Sequence, residues 1–404
     1  MGRVNAAEDE RAGCRRRRWL LPGFFAVTSP KFAARAGSDL VVAGGLRAPL
    51  RGARDFAPPR WLRNPHLQTI LASAGLGGRT LVRDSLLLER QTRAEILELD
   101  GDVRLQGFHT AQRALPERLG LVMLLHGWEG HARSSYVVAV AACLVRAGYD
   151  VFRLNFRDHG DSHGLNAEPF HSCRLEEVVA AAARVFARPG PGLHAIAGFS
   201  LGGNFALRVA GAAPARAIAL DYALAVCPVI DPAAGLHRLE RARLYHAYFM
   251  HKWRASLRRK QSLFPTRTVI ASQELRLSMR ELTRALVMRH TDFASLEAYL
   301  DGYSVAGDRL AGLRVPATIL AAADDPLIPV ADFRALRLPD CVELDIAPHG
   351  GHCAFLGGWR SRGFLQEYLL ARLQARAGAG RVDQCHEFPC SFPAEPSVPK
   401  ADPC

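Results

Sequence analysis

The length and composition indicate an ordinary globular protein whose positive charge is unevenly placed. The 404 residues are 49% hydrophobic and 23% charged, which excludes a fibrous chain and one disordered throughout. The net charge of +13 comes from two segments: residues 1–55 hold 11 Lys and Arg against 5 acidic residues, and residues 238–260 hold 8 against 1. No apolar run approaches the roughly 20 residues of a membrane span, and no zinc-finger or RNP motif indicates nucleic-acid binding.

Strand and helix patterns alternate along residues 56–376, between two ends that are predicted to be disordered (1–55 and 377–404). In chain order, the pattern predicts strand Leu119–Leu125, helix Ser135–Arg146, strand Asp150–Phe156, helix Leu175–Ala187, strand Leu193–Phe199, helix Leu201–Ala210, strands Ala217–Val226, Val315–Ala322 and Val342–Ile346, and helix Phe364–Arg376. Such apolar strands separated by helices predict an α/β fold with a mostly parallel central sheet and helices on both faces. The mostly helical residues 231–311 predict a cap above the carboxyl ends of the strands.

The compartment is predicted from the cysteines and from the N-terminal segment. Nine cysteines, several in apolar runs, indicate buried thiols in a reducing, cytoplasmic environment. The run Arg15–Arg18 and the apolar stretch after it resemble a secretory signal, but Pro22 interrupts that stretch, so a disordered basic extension is favoured. Cys385, His386 and Cys390 make only half of a metal site, and we expect no metal.

The pattern G-x-S-x-G occurs twice, at residues 160–164 and 198–202. A nucleophilic serine requires a sharp turn between a buried strand and a helix, with small residues where the backbone crowds. Ser200 has this context, since a strand pattern precedes it and a helix pattern with a small first turn follows. Ser162 lies in a polar loop. We therefore predict Ser200 as the nucleophile and a structural loop around Ser162.

The acid and the base are predicted after two later strands, in the chain order that the nucleophile turn implies. Asp325 is preferred as the acid because an Asp-Pro-x-x-Pro turn suits an acid at a strand end, and Asp324 stays as the alternative. His352 is preferred as the base because two glycines before it free the loop, and His349 stays as the alternative. A serine hydroxyl needs such an imidazole, oriented by a carboxylate.

The oxyanion of a tetrahedral intermediate requires backbone N–H donors. One is predicted at Leu201, directly after the nucleophile. The other is predicted in the loop after Leu119–Leu125, with Trp128 of His126-Gly127-Trp128 as the candidate.

These residues resemble the α/β-hydrolase superfamily, and within it the YheT-like hydrolases and the abhydrolase-domain lipid hydrolases. The resemblance spans about residues 56–376 and is carried by Pro58–Thr69 with its N-P-H-L-Q-T segment, His126–Gly130, Arg153–Arg157, Gly198–Asn204, Asp324–Pro326 and His349–His352. It implies a carboxylic-ester hydrolase for short-chain esters or acylglycerol-type lipids, with a Ser–Asp–His triad and no cofactor. Asp158, where relatives often have Gly, and Cys353-Ala354 depart from the pattern.

The basic cap segment has an apolar residue at every fourth position, which predicts an amphipathic helix. The apolar stripe is Tyr245, Phe249, Trp253 and Leu257. One hypothesis is that this helix contacts anionic membranes peripherally. The alternative is that the stripe packs on the core and the arginines are solvated.

An ester hydrolase is therefore the leading hypothesis, with a small-molecule ester or lipid as the partner and no nucleic acid. An acyltransferase would use the same triad, because the choice between water and another acceptor lies in the pocket. A non-catalytic binding protein that retains the fold is the third hypothesis. The sequence does not indicate acyl-chain length, head group or oligomeric state.

Overall fold

The computed structural model describes residues 52–73, 86–267, 270–358 and 363–386, with side chains up to residue 377 in the last segment. The predicted basic extension up to residue 51, the signal-like run within it, the Cys385–Cys390 motif and the tail from residue 387 lie outside the described residues or side chains. Residues 52–55, which belong to the predicted extension, are among the described residues. The Ala53 N–H donates to Asp345 Oδ2 at 2.9 Å, and the Ala53 side chain is buried.

The described strands form one eight-stranded sheet with the order β1-β2-β4-β3-β5-β6-β7-β8. The strands are β1 Thr92–Glu98, β2 Arg104–Thr110, β3 Gly120–Leu125, β4 Tyr149–Leu154, β5 Leu193–Phe199, β6 Tyr222–Val226, β7 Ala317–Ala322 and β8 Val342–Ala347. β2 pairs antiparallel with β1 and β4, and the remaining pairs are parallel. The predicted, mostly parallel sheet is therefore confirmed, with an antiparallel hairpin at one edge.

β3, β4, β6 and β7 are buried along their whole length because helices cover both faces of the sheet. The helices are α1 Pro65–Ser73, α2 Ser135–Arg146, α3 Leu175–Phe186, α4 Leu201–Ala212, α5 Pro232–Arg241, α6 Arg243–Leu263, α7 Met279–His290, α8 Leu296–Gly302, α9 Val330–Arg334 and α10 Phe364–His386. Apolar side chains of α3 and α4 share one core with the sheet, and those of α2 and α10 share the other. α10 continues ten residues beyond the expected end at Arg376.

Helices α5–α8 lie between β6 and β7, within the segment predicted as a cap. The carboxylate of Asp231 caps α5, and Ser278 with Glu281 forms a capping box at α7. Met250, Leu257 and Leu282 are among the buried residues of a separate small cluster in this region. The helices are thus internally packed, and their role as a cap remains a prediction. Among the described helices, none combines the length and the apolar character that crossing a bilayer requires.

Candidate active site

Ser200 lies at the sharp turn between β5 and α4. β5 ends at Phe199 and α4 begins at Leu201, and the Ser200 backbone has a φ of 54° and a ψ of −116°. A positive φ is unfavourable for a residue with a Cβ, and it persists only where the surrounding structure fixes it. The strand–turn–helix context that singled out Ser200 in the sequence is therefore present in the structure.

Two glycines allow this turn. A Cβ on Gly198 would lie 2.0 Å from the carbonyl oxygen of Gly202, and a Cβ on Gly202 would lie 2.4 Å from the carbonyl oxygens of Leu125 and His126. Such contacts are too short for any side chain, so both positions require glycine. The first turn of α4 can therefore begin directly against the end of β3.

Asp325 and His352 form a hydrogen-bonded chain with Ser200. His352 Nδ1 lies 2.8 Å from Asp325 Oδ2, and His352 Nε2 lies 2.9 Å from Ser200 Oγ. The Asp325 side chain is fully buried, and its Oδ1 accepts hydrogen bonds from the N–H groups of Leu327 and Ile328 at 2.8 and 3.0 Å. When the ring is neutral and its Nδ1 proton is donated to Asp325, the unprotonated Nε2 faces the serine hydroxyl.

The surroundings of His352 favour its protonated form. Burial acts to lower its pKa, but the charge of Asp325, the neighbouring Cys353 and the hydrogen bond to Asp325 outweigh burial and raise the pKa to about 9. The imidazole is therefore a stronger base than histidine in water. This matches the requirement for removing a proton from a serine hydroxyl.

The alternative acid and base pair with one another instead of with the serine. Asp324 Oδ1 accepts from the Gly351 N–H at 2.9 Å, and its Oδ2 lies 3.3 Å from His349 Nδ1. Asp324 thus holds residues 348–356, which we call the base loop, by its backbone. Of the four sequence candidates, the structure brings Asp325 and His352 to Ser200.

Comparisons with known proteins agree with this architecture. A family model described as the alpha/beta hydrolase fold matches residues 120–358. This chain belongs to that family. It is also similar to YheT of Escherichia coli (strain K12), a candidate esterase, with 26% identity over 318 residues that cover 75% of this chain and 88% of YheT. The predicted α/β-hydrolase fold and YheT-like resemblance are confirmed.

Solved structures of esterases show more distant similarity to this hydrolase. The esterase Pf2001 of Pyrococcus furiosus is 14% identical, with 71% of this chain and 92% of that chain covered and a TM-score of 0.46. Est1E of Butyrivibrio proteoclasticus is 17% identical, with 71% and 100% covered and a TM-score of 0.45.

The loop after β3 passes directly beside Ser200. A Cβ on Gly127 would lie 3.4 Å from Ser200 Cβ, and the Gly127 N–H donates to Tyr136 Oη at 2.9 Å. No described residue accepts a hydrogen bond from the backbone N–H of Trp128 or of Leu201. Both groups are therefore available for an oxyanion, and their assignment as donors stays a prediction.

Ser162, in the second G-x-S-x-G, is buried within its own loop. Its hydroxyl is directed at the carbonyl oxygens of His159 and Phe156, at 2.8 and 3.2 Å. The side chain is fully buried, so its hydrogen bonds close the loop, as the sequence context indicated.

The apolar stripe of the basic helix faces the protein. Leu257 is buried, and Phe249 stacks on Trp128 with ring centroids 5.2 Å apart and planes 9° apart. Trp253 meets the same indole edge-on at 5.5 Å, and Tyr245 packs against the main core. This is the arrangement in which the stripe packs inward, so any membrane contact would involve the outer face of α6.

Asp158, which departs from the family pattern, pairs with a buried lysine of α6. Its φ of 59° is typical of the glycine that relatives often have at this position. Its Oδ1 lies 2.7 Å from Lys260 Nζ, and both side chains are buried. Lys260 also donates to the carbonyl oxygens of His163 and Asn166. The Asp158–Lys260 pair therefore anchors α6 to the loop that contains Ser162.

The N-P-H-L-Q-T segment had no predicted role. In the structure it begins α1, and its buried Gln68 and Thr69 contact the base loop. The sequence offered one signal for these contacts: two adjacent polar residues in an apolar helical segment. Buried polar groups need specific hydrogen-bond partners.

Proposed function

We propose that this chain is a serine esterase that cleaves carboxylic esters through an acyl-enzyme on Ser200. The observation that carries the proposal is the continuous chain from Asp325 to His352 to Ser200, with links of 2.8 and 2.9 Å. The similarity to a candidate esterase over 318 residues supports the same reaction. No cofactor takes part in the proposed chemistry.

The proposed reaction has two halves. Ser200 Oγ attacks the ester carbonyl carbon as His352 Nε2 takes its proton, and Asp325 stays ionised beside the imidazolium. The N–H groups of Trp128 and Leu201 would stabilise the oxyanion, and the alcohol leaves with the proton of His352. Water then attacks the acyl-enzyme and gives a proton to His352, which returns it to Ser200 Oγ as the bond to the acyl group breaks and the acid leaves.

Short-chain esters or acylglycerol-type lipids are the proposed substrates. The aromatic rings of Trp128, Phe249 and Trp253 form an apolar surface next to the loop that passes Ser200. Such a surface favours an apolar acyl group over a charged one. A series of p-nitrophenyl esters of increasing chain length measures this preference, and equal kcat/KM values for all of them would contradict an acyl-binding surface.

Contact of the outer face of α6 with anionic lipid is a separate part of the proposal. Arg243 and Arg258 are exposed, and no described acidic residue forms an ion pair with them. Basic residues on a helix surface attract anionic lipid, with a strength that falls as salt rises. Sedimentation with phosphatidylglycerol vesicles should weaken in Arg243→Glu/Arg258→Glu, and binding that is equal in the variant would contradict this part.

Labelling with a fluorophosphonate probe tests the reaction directly. We expect covalent labelling of the wild type and none in Ser200→Ala, and ester turnover should fall by several orders of magnitude. Ser162→Ala is the matched control and should still be labelled, because its hydroxyl is buried. Labelling that persists in Ser200→Ala, or a wild type that neither reacts nor hydrolyses esters, would contradict the proposal.

A further inference from the structure

Two buried side chains of α1 hold the backbone of the base loop. The His352 N–H donates to Thr69 Oγ1 at 2.9 Å, and the Leu356 N–H donates to Gln68 Oε1 at 2.9 Å. Gln68 and Thr69 are 0% and 6% exposed. One of these bonds is thus made at the residue that carries the imidazole, and the other is made four residues later.

The base loop needs partners of this kind because its own conformation is strained. Cys353 and Phe355 have φ values of 58° and 46°, in the left-handed region that non-glycine residues avoid. Backbone strain of about 1–3 kcal/mol per residue persists only where the surroundings over-determine it. α1 supplies such surroundings, since a Cβ on Gly351 would lie 2.7 Å from the Pro65 carbonyl oxygen and 2.8 Å from Thr69 Oγ1.

The Thr69 hydroxyl is oriented by its own helix. Its Oγ1 donates to the Pro65 carbonyl oxygen at 2.7 Å, so an oxygen lone pair remains for the His352 N–H. The same helix also contacts α6, because His66 Nδ1 lies 3.0 Å from Tyr245 Oη and the two rings are stacked. The Thr69 hydroxyl is therefore held by its bond within α1, and α1 is itself held by α6.

We propose that Thr69 is a positioning residue for His352: its hydroxyl holds the backbone of that residue so that the imidazole lies between Asp325 and Ser200. This inference rests on the proposed function, because the position of the imidazole affects the rate only where His352 acts as the base. Thr69 touches no reacting atom, and it acts through the backbone N–H of His352. It lies 283 residues from His352 in the chain.

The test removes the hydroxyl and keeps the shape. Thr69→Val should lower kcat and the rate of fluorophosphonate labelling about 10- to 100-fold with KM little changed, because a misplacement of about 1 Å can cost about 10²-fold in rate. Thr69→Ser keeps the acceptor and should stay within a few-fold of wild type. Thr283→Val is the matched control, since Thr283 Oγ1 donates to the carbonyl four residues earlier at the same 2.7 Å but makes no described hydrogen bond to the base loop.

A second measurement does not depend on ester hydrolysis. The NMR signal of the proton between His352 Nδ1 and Asp325 should weaken or shift in Thr69→Val and stay unchanged in Thr283→Val. If Thr69→Val does not fold, Thr69→Ala removes the same hydroxyl with less apolar volume, and the same result is expected of it.

The outcomes separate this inference from the proposed function. Wild-type kcat, labelling and NMR signal in Thr69→Val would overturn the positioning role, as would a loss of rate that is equal in Thr69→Ser. A wild-type protein without activity or labelling would contradict the esterase proposal alone, and the NMR comparison would still decide the role of Thr69.

Discussion

Lys260 lies on α6 with its ammonium group buried against the Asp158 carboxylate, 2.7 Å away. Replacing it by methionine keeps an unbranched side chain, one atom shorter, but leaves Asp158 without its cation. Breaking a buried ion pair from one side costs about 3–5 kcal/mol, because the remaining charge is uncompensated. An unfolding entropy of about 2.1 cal/mol/K per residue over roughly 300 folded residues converts this into a Tm lower by roughly 5–8 °C.

The control for this variant lies one residue earlier. Arg259 pairs with Asp161 at 3.5 Å, and both side chains are largely exposed. Surface pairs of this kind contribute about 1 kcal/mol or less, so Arg259→Met should unfold close to wild type. Urea denaturation and thermal melts of the two variants measure the difference.

A second substitution should recover stability in Lys260→Met. Adding Asp158→Gly removes the unpaired carboxylate and suits the φ of 59° at this position, although the Phe170 N–H loses its acceptor. The double variant should therefore be more stable than Lys260→Met. If Lys260→Met unfolds like Arg259→Met, or if the double variant is the less stable protein, the reasoning about this buried pair is wrong.

The stability lost in Lys260→Met should depend on pH. Burial raises the pKa of Asp158 even with the Lys260 ammonium beside it, which acts to lower that pKa. Without the ammonium, the folded-state pKa of Asp158 rises further above its unfolded value. Stability is then lost as pH rises through that folded-state pKa and regained below it. The deficit of Lys260→Met should therefore be larger at pH 8 than at pH 5.

Four further predictions concern the active site and the helix that follows it. Asp325→Asn should lower kcat for one p-nitrophenyl ester about 10⁴-fold, and Asp324→Asn should lower it far less; equal losses would contradict the assignment of the acid. The value of kcat/KM should keep rising with pH through about 9, because His352 accepts a proton only when neutral and its pKa is raised to about 9; a profile that is flat from pH 6 upward would disagree. The same raised pKa makes His352 contribute stability fully below 6.5, and this contribution is lost as pH rises through about 9. Gly202→Ala should abolish folded, active protein, because its Cβ would lie 2.4 Å from two carbonyl oxygens. Gly211→Ala lies on the same helix, and its Cβ would meet nothing within 4 Å, so this variant should melt at or above the wild-type temperature.

The turn at Ser200 could be predicted from the sequence because the pattern that marks it is local. An apolar strand, Ser200 and a helix with Gly202 in its first turn occur within about a dozen residues of chain. The crowding at Gly198 lies within the turn, since its Cβ would meet the Gly202 carbonyl oxygen, whereas Gly202 is crowded by the end of β3. The parallel sheet was predictable for a similar reason, since strands buried on both faces are apolar along their whole length.

The edge hairpin formed by β1 and β2 was not predicted. The burial of β1 is mixed, with Leu97 its one buried residue. Such a strand has no continuous apolar run that would mark it. It becomes a strand because its partner β2 is itself paired with β4.

By itself the sequence determined the fold class, the strand–turn–helix at Ser200 and the two strand ends that carry the candidate acid and base. It preferred Asp325 and His352 and kept Asp324 and His349 as alternatives, because residues of one loop share a local pattern and differ in where the loop directs their side chains. The tertiary structure shows which of these side chains reach Ser200: His352 contacts its hydroxyl, and Asp325 contacts His352. It also brought Thr69 to a loop 283 residues away, and no local pattern encodes a contact between two such distant segments.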